Sequence, residues 1–229
     1  VFAGFATNAA RGWTQNATKP YKGFRKGRCF SMVEKDIDRL RQQVPELDVI
    51  TPVMFGGTKD AVVDDKSFSA NVSGVSYDYP AINPPTMYYG RFLNEMDIKL
   101  GRKVCVIGKE VYKKLFPGGG DPCGKRIRVD GTYYQVIGVD YKVNGISING
   151  RPDQLVTIPY TLFQKIYNSG DQIHSLAVTA KPGVVMSSIT DRMRTVIARA
   201  HMVDPTDEKA ITLFNTELLF AMLDNLFNG

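Results

Sequence analysis

The chain has 229 residues, 43% of them apolar and 23% charged, with 21 Gly and 12 Pro. Those proportions exclude a disordered chain, a collagen-like repeat and a disulfide-held miniprotein, and the length suffices for one large core or two small ones. Lys and Arg outnumber Asp and Glu by 29 to 23, and residues 11–41 and 99–128 hold most of the excess. A basic balance suits nucleic acid or an anionic membrane surface. The scattered spacing favours ordinary solvated faces instead. With no RNP-like aromatic motif, zinc-finger spacing or basic heptads, no nucleic-acid partner is expected. No run of about 18 apolar residues is present, so no span across a bilayer is expected. Residues 1–6 are apolar but lack the basic flank of a signal peptide.

In chain order, the first 30 residues are rich in Gly, Asn and Lys and read as loop leading into a short strand. Ser31-x-x-Glu34 has the form of a capping box, and Val33, Ile37, Leu40 and Val44 stripe a helix that Pro45 must end. Residues 47–55 read as a strand, Gly56-Gly57 as a turn and 68–77 as a second strand. After a loop at 80–85, Asn94 caps a short helix to Ile98. Residues 103–108 form a short β-branched run expected to be a buried strand, and 110–116 a helix with Val111 and Leu115 inward. Asp130-Gly131, between 126–129 and 132–139, is a hairpin signal. Asn149-Gly150, between 146–148 and 155–158, is a second and looser one. Residues 161–167 read as helix and 175–180 as strand. Val185, Ile189, Met193, Val196, Ile197 and Ala200 then stripe a helix ending near His201, where a cationic ring suits the macrodipole without any catalytic role. Residues 216–227 are apolar on nearly every side, as expected of a helix buried in protein or heading into a membrane.

Each end thus carries a strand–helix–strand pattern, with a strand-rich middle between them. The expected fold class is α+β.

Motifs with chemical potential are few. Gly119–Lys125 contains the G-x-x-x-x-G-K of a P-loop, but Arg126 stands where Ser or Thr should hold magnesium. Helix and strand also come in the reverse order, and Pro122 removes an amide, so a Gly/Pro turn is expected and no nucleotide. Residues 140–145 faintly resemble a calcium loop, with Lys142 in a ligand position and Arg151 where the closing Glu belongs. His174 and His201 have no metal-ligand spacing. Asp171 and His174 lie close, as turn residues often do, and no G-x-S-x-G accompanies them. Trp13 suits packing. Cys29, Cys105 and Cys123 form no C-x-x-C and allow at most one disulfide, with Cys105 reading as a small apolar strand residue. No catalytic, cofactor-binding or metal-binding residue is expected, no cofactor is expected, and the chain does not read as an enzyme.

One ordered set of motifs is more specific. Residues 90–97 (GRFLNEMD), 104–108 (VCVIG), Leu115-Phe116, 121–127 (DPCGKRI) and 136–139 (VIGV) resemble the extracytoplasmic core domain of MacB-type ABC transporter permeases. That superfamily also holds the Lol lipoprotein-release permeases and FtsX. The resemblance covers about 30–205, and the first 30 residues are similar to its Bacteroides-type branch. Cys105 and Cys123 depart from the small or aliphatic residues usual there.

The resemblance implies a porter-like subdomain from both chain ends (1–81 with 159–229) and an inserted sabre-like subdomain (82–158). It implies an inner-membrane protein with this domain on the periplasmic side, one membrane helix before it and three after, 216–227 leading into the second. It also implies a permease homodimer or heterodimer joined through its membrane segments, a cytoplasmic ABC ATPase subunit or domain, a MacA-like periplasmic adaptor and an outer-membrane channel. The function implied is transmission of ATP-driven motion to export substrates. Alternatives are a Lol-like lipoprotein-releasing permease, an FtsX-like regulator of cell-wall hydrolases, and a free-standing periplasmic binding module.

Overall fold

A computed structural model describes residues 8–143 and 151–215. These fall into two compact units, an end unit of residues 8–52 and 171–215 and an inserted unit of 53–143 and 151–170. The boundaries expected from the sequence lie at 81/82 and 158/159, whereas the chain passes between units at 52/53 and 170/171. The difference has a pairing cause: strand β4 (Lys66–Val75) runs parallel to β9 (Leu155–Pro159), which ties residues before 81 to the inserted strands.

The end unit has the strand–helix–strand pattern at both chain ends. Strand β1 (Ala9–Thr14) lies between β12 (Ile211–Asn215) and β11 (Ser175–Ala180), antiparallel to both, and β11 neighbours the start of β3 (Leu47–Val63). The short strands β2 (Met32–Val33) and β10 (Gln172–Ile173) pair separately. Helices α1 (Glu34–Gln43) and α5 (Thr190–Ala200) pack on each other, and their inward faces build a core from Leu40, Val44, Met193 and Ile197 with Ile50, Leu176 and Val178 of the strands. The loop expected over the first 30 residues therefore contains a strand. It includes Ala9, Ala10 and Gly12, and a Cβ on Gly12 would press on the end of the Leu213 side chain, Cδ2, at 2.8 Å. The capping box at Ser31 does not form. The helix starts two residues later, with the Val33 N–H donating to Asp36 and Ser31 accepting from Gln172. Val185 lies outside α5 and is exposed.

In the inserted unit the pairings of β3, β4, β9, β6 (Val104–Gly108), β8 (Thr132–Asp140) and β7 (Arg126–Val129) close into a ring, because β7 bonds both β8 and β3. Strand β5 (Met87–Gly90) adds to β8 beyond β7's reach. Helices α3 (Lys109–Leu115) and α4 (Tyr160–Ile166) contribute Val111, Leu115, Leu162 and Phe163 to a core with Met54, Ile107, Ile127, Val136 and Ile158. The expected turn at Gly56-Gly57 is a bulge inside β3. Gly57 has φ +69°, and a Cβ on Gly56 would lie 2.9 Å from Val72 and 3.0 Å from Phe163. The hairpin at Asp130-Gly131 forms with φ of 51° and 81°, the mirror-image turn its residue pair favours. The second expected hairpin at 146–150 and the apolar segment 216–227 fall in part or whole outside the described residues; β9 has β4 and β6 as its partners. Among the described residues no helix is long and apolar enough to cross a membrane.

Candidate functional site

The family-like motifs converge on one corner of the inserted unit. At the end of β5, Gly90 takes φ +66° and lets the Arg91 N–H bond the Ile137 carbonyl at 3.0 Å. The corner is too tight for any Cβ on Gly138, which would sit 2.4 Å from the Arg91 carbonyl. Asn94 caps α2 (Glu95–Leu100), its side chain accepting from the Asp97 N–H while Asp97 accepts from the Asn94 N–H. Asp97 is fully buried and also accepts from Arg91 at 2.6 Å and from Arg102 at 3.3 Å. Burial works against its ionised form, but the Arg91, Asn94 and Arg102 hydrogen bonds outweigh it, leaving the carboxyl below its ordinary value. The motif is a brace joining strand, loop and helix.

The end unit has two further braces. Buried Asp36 of α1 accepts from the Val33 N–H and Arg39, and its Oδ2 lies 2.6 Å from His201 Nε2 at the end of α5. Here too burial is outweighed by the His201, Val33 and Arg39 contacts, and the Asp36 carboxyl is lowered. His201 thus has a carboxylate partner beside the helix terminus that the sequence pointed to. Asp207 accepts from the Thr18 N–H and hydroxyl, the Lys19 N–H and the Ala210 N–H, and these overcome burial to lower its carboxyl.

A carboxyl whose folded pKa is depressed stabilises fully above its unfolded value of 3.8, and that stabilisation disappears as pH falls through the folded value. The urea midpoint is therefore expected to hold from about pH 7 to 5 and to fall below about pH 4. Asp97→Asn should flatten part of that fall. A midpoint that drops already between pH 7 and 5 in parallel for both proteins would contradict this.

The lookalike motifs are occupied by the fold. In the P-loop-like turn, the Gly119 N–H bonds Phe116 O, the Cys123 N–H the Asp121 carboxylate, the Gly124 N–H Val136 O and the Lys125 N–H Pro122 O. Those four amides are directed at protein acceptors. Asp140 accepts from the Thr86 and Lys142 N–H groups, and Lys142 Nζ reaches Asn83 and Pro84. Asp171 uses its main-chain carbonyl to hold the Glu34 N–H. No group of metal-ligating side chains occurs among the described residues. Trp13 sits in β1 opposite Ser175 and Thr212. All three cysteines are free thiols. Burial pushes up that of Cys105, and burial with Asp121 raises Cys123 to about 11.

Aromatic rings gather at the edge strand β5. Tyr88 on edge strand β5 is 57% exposed and stacks on Tyr141 at 4.1 Å, with Tyr89 edge-on to Tyr88 and Lys109 5.2 Å over the Tyr141 ring. Tyr112, behind them, donates to Gly120 O, and burial helps push its hydroxyl up to about 12. These tyrosines lie far apart in sequence, and no local pattern announces the wall they form.

A sheet-rich α+β domain of this build is that of MacB and its structural neighbours. The crystal structure of the periplasmic region of MacB from Actinobacillus actinomycetemcomitans superposes with a TM-score of 0.75 at 21% identity, over 97% of this chain and 95% of that one. The extracellular domain of the noncanonic ABC-type transporter YknZ from Gram-positive bacteria follows at 0.73 and 17% identity, over 91% and 100%. The family model for the MacB-like periplasmic core domain matches residues 4–196, and the chain belongs to that family. Among curated relatives, the macrolide export ATP-binding/permease protein MacB of Chlorobaculum tepidum is 26% identical over 210 residues, 90% of this chain and 31% of that protein. The pyoverdine export ATP-binding/permease protein PvdT of Pseudomonas aeruginosa is 31% identical over 118 residues, 52% of this chain and 18% of that protein. The chain thus spans less than a third of the length of these relatives.

Proposed function

We propose that this domain is the periplasmic part of a MacB-like export permease in the inner membrane, and that it passes ATP-driven motion from a cytoplasmic ABC ATPase to the periplasm. The observation that carries this reading is the family match over 4–196, which takes in both the end unit and the inserted unit. Physical support comes from the braces. Buried carboxylates lock helix to helix in one unit and strand to helix in the other, so each unit can move as a stiff body without internal rearrangement. The end unit then corresponds to the porter-like part and residues 53–170 to the sabre-like insertion. A permease dimer, a MacA-like adaptor and an outer-membrane channel complete the pathway, and the ATPase supplies the only chemical step.

The test uses the full-length permease with its ATPase in lipid nanodiscs, spin-labelled at exposed Lys113→Cys after Cys29→Ser. Trapping ATP with vanadate should shift the distance between the labels of the two protomers by several ångströms. An unchanged distance distribution overturns the transmission reading. Co-purification of an adaptor supports export; a lipoprotein or a hydrolase activator in its place would assign the domain to the Lol-like or FtsX-like branch.

A further inference from the structure

We propose that the outward face of the β7–β8 hairpin binds a soluble acidic saccharide, a sugar whose phosphate groups are held by Arg126, Arg128 and Lys103. Residues 99–128 carry nine Lys or Arg against two acids, and of these cations only Arg102 is taken up by the Asp97 brace. The two strands sort the rest by alternation. Ile127, Val129, Tyr134 and Val136 are buried, while Arg126, Arg128, Tyr133 and Gln135 are exposed. The register sets Arg126 opposite Gln135 and Arg128 opposite Tyr133, so these four share one face. The Gln135 N–H bonds the Lys103 carbonyl at 2.9 Å, which brings Lys103 to the rim of that face.

An open cavity of about 490 Å³ lies there, lined by Lys103, Arg126, Gly131, Thr132, Tyr133 and Gln135. Its size is that of a small-molecule site. The lining holds two cations, no carboxylate and no aliphatic residue, and its neutral groups are two hydroxyls and an amide. An apolar ligand finds no floor here, whereas an anion rich in hydroxyls finds a partner for each of its groups. Arg126 lies 5.4 Å over the Tyr133 ring, which holds the guanidinium fork in place before any ligand arrives. Tyr133 is 52% exposed and offers the rest of its ring to the C–H face of a sugar. Two residues apart on one strand, Arg126 and Arg128 present their donors about 7 Å apart, a spacing that suits two anionic substituents of one sugar. Cations on an ordinary solvated face pair with neighbouring acids. Here Arg126, Arg128 and Lys103 form no ion pair among the described residues. The acids beside this face, Asp130 and Asp60, are held instead by Lys59 and Ser69. The ring and hydroxyls of the lining favour a sugar over an acidic peptide. The site lies wholly within the inserted unit and takes nothing from the permease reading.

The test is isothermal titration of the 229-residue chain with glucose 1,6-bisphosphate, set against glucose, inorganic phosphate and hexaglutamate. Submillimolar binding of the bisphosphate is expected, weakening with salt, with the other three weaker by about tenfold or more. Arg126→Gln with Arg128→Gln should weaken it about 30-fold at an unchanged thermal midpoint. Tyr133→Leu, which frees the Arg126 fork, should weaken it about fivefold. Lys113→Gln with Lys114→Gln removes the same charge from α3 and should leave the affinity within about twofold. No binding at millimolar bisphosphate, equally tight binding of any of the other three probes, or equal losses in the two double variants overturns the proposal. None of these results touches the vanadate-dependent distance change, so the permease reading stands or falls separately.

Discussion

Gly90→Ala is expected to lower the stability of the inserted unit by about 4 kcal/mol, enough to leave much of the protein insoluble. Two penalties coincide at this residue. The φ of +66° disfavours any L side chain, and a Cβ would lie 2.0 Å from the Ile137 carbonyl oxygen and 2.6 Å from Cys123 Sγ. The first obstacle is backbone of β8, hydrogen-bonded into the sheet, and cannot swing aside as a flexible side chain would. Gly131→Ala is the control, since φ there is +81° with nothing within 4 Å, so only the conformational penalty of about 1 kcal/mol applies. Urea unfolding of both variants decides the matter, and losses within 1 kcal/mol of each other would refute the clash.

Asp97→Ala should lower stability by about 3 kcal/mol. The substitution removes the acceptor for the Asn94 N–H and for two arginines at once, in a site with no solvent exposure at the carboxylate. The arginines themselves are 45% and 43% exposed and can turn to water when the carboxylate is gone, which keeps the figure below that of a fully buried pair. Asp97→Asn, which retains an oxygen for the Asn94 amide, should lose about half as much. Arg91→Ala should lose about 1 kcal/mol. Chemical denaturation across this series measures the brace, and an Asp97→Ala loss no larger than that of Arg91→Ala would show that the buried carboxylate adds nothing of its own.

Both predictions concern residues of the motif set that carries the family resemblance, and the structure gives that set a mechanical meaning. Gly90, Gly138, Asn94 and Asp97 form a corner whose geometry tolerates little substitution, while the Gly-rich turn at 119–125 has its amides directed into the fold. Packing explains Gly90 and Gly138 in this signature, and capping explains Asn94 and Asp97.

Features whose determinants lie within a few residues were legible in the sequence: the Asn94 cap, the Asp130-Gly131 hairpin, the β-branched strand at 104–108 and the apolar stripes of α1 and α5. The same applies to the α+β class and the family, because ordered local motifs carry them. What only the tertiary structure decided depends on partners distant in the chain. Strand β1 runs Ala9-Ala10-Arg11-Gly12-Trp13-Thr14, without an apolar alternation, and its burial comes from β11 and β12 on either side. Gly56-Gly57 forms a bulge in β3 rather than a turn, with Gly56 pressed by Val72 and Phe163 and Gly57 at φ +69°. Asp36 and His201 meet across 165 residues. The basic loop at residues 18–28 is pinned at its base by Asp207 and by the carbonyls after α5. Local sequence sets backbone preferences and capping over a few residues, but long-range neighbours decide which small strand is buried, which glycine bends and which charge is paired.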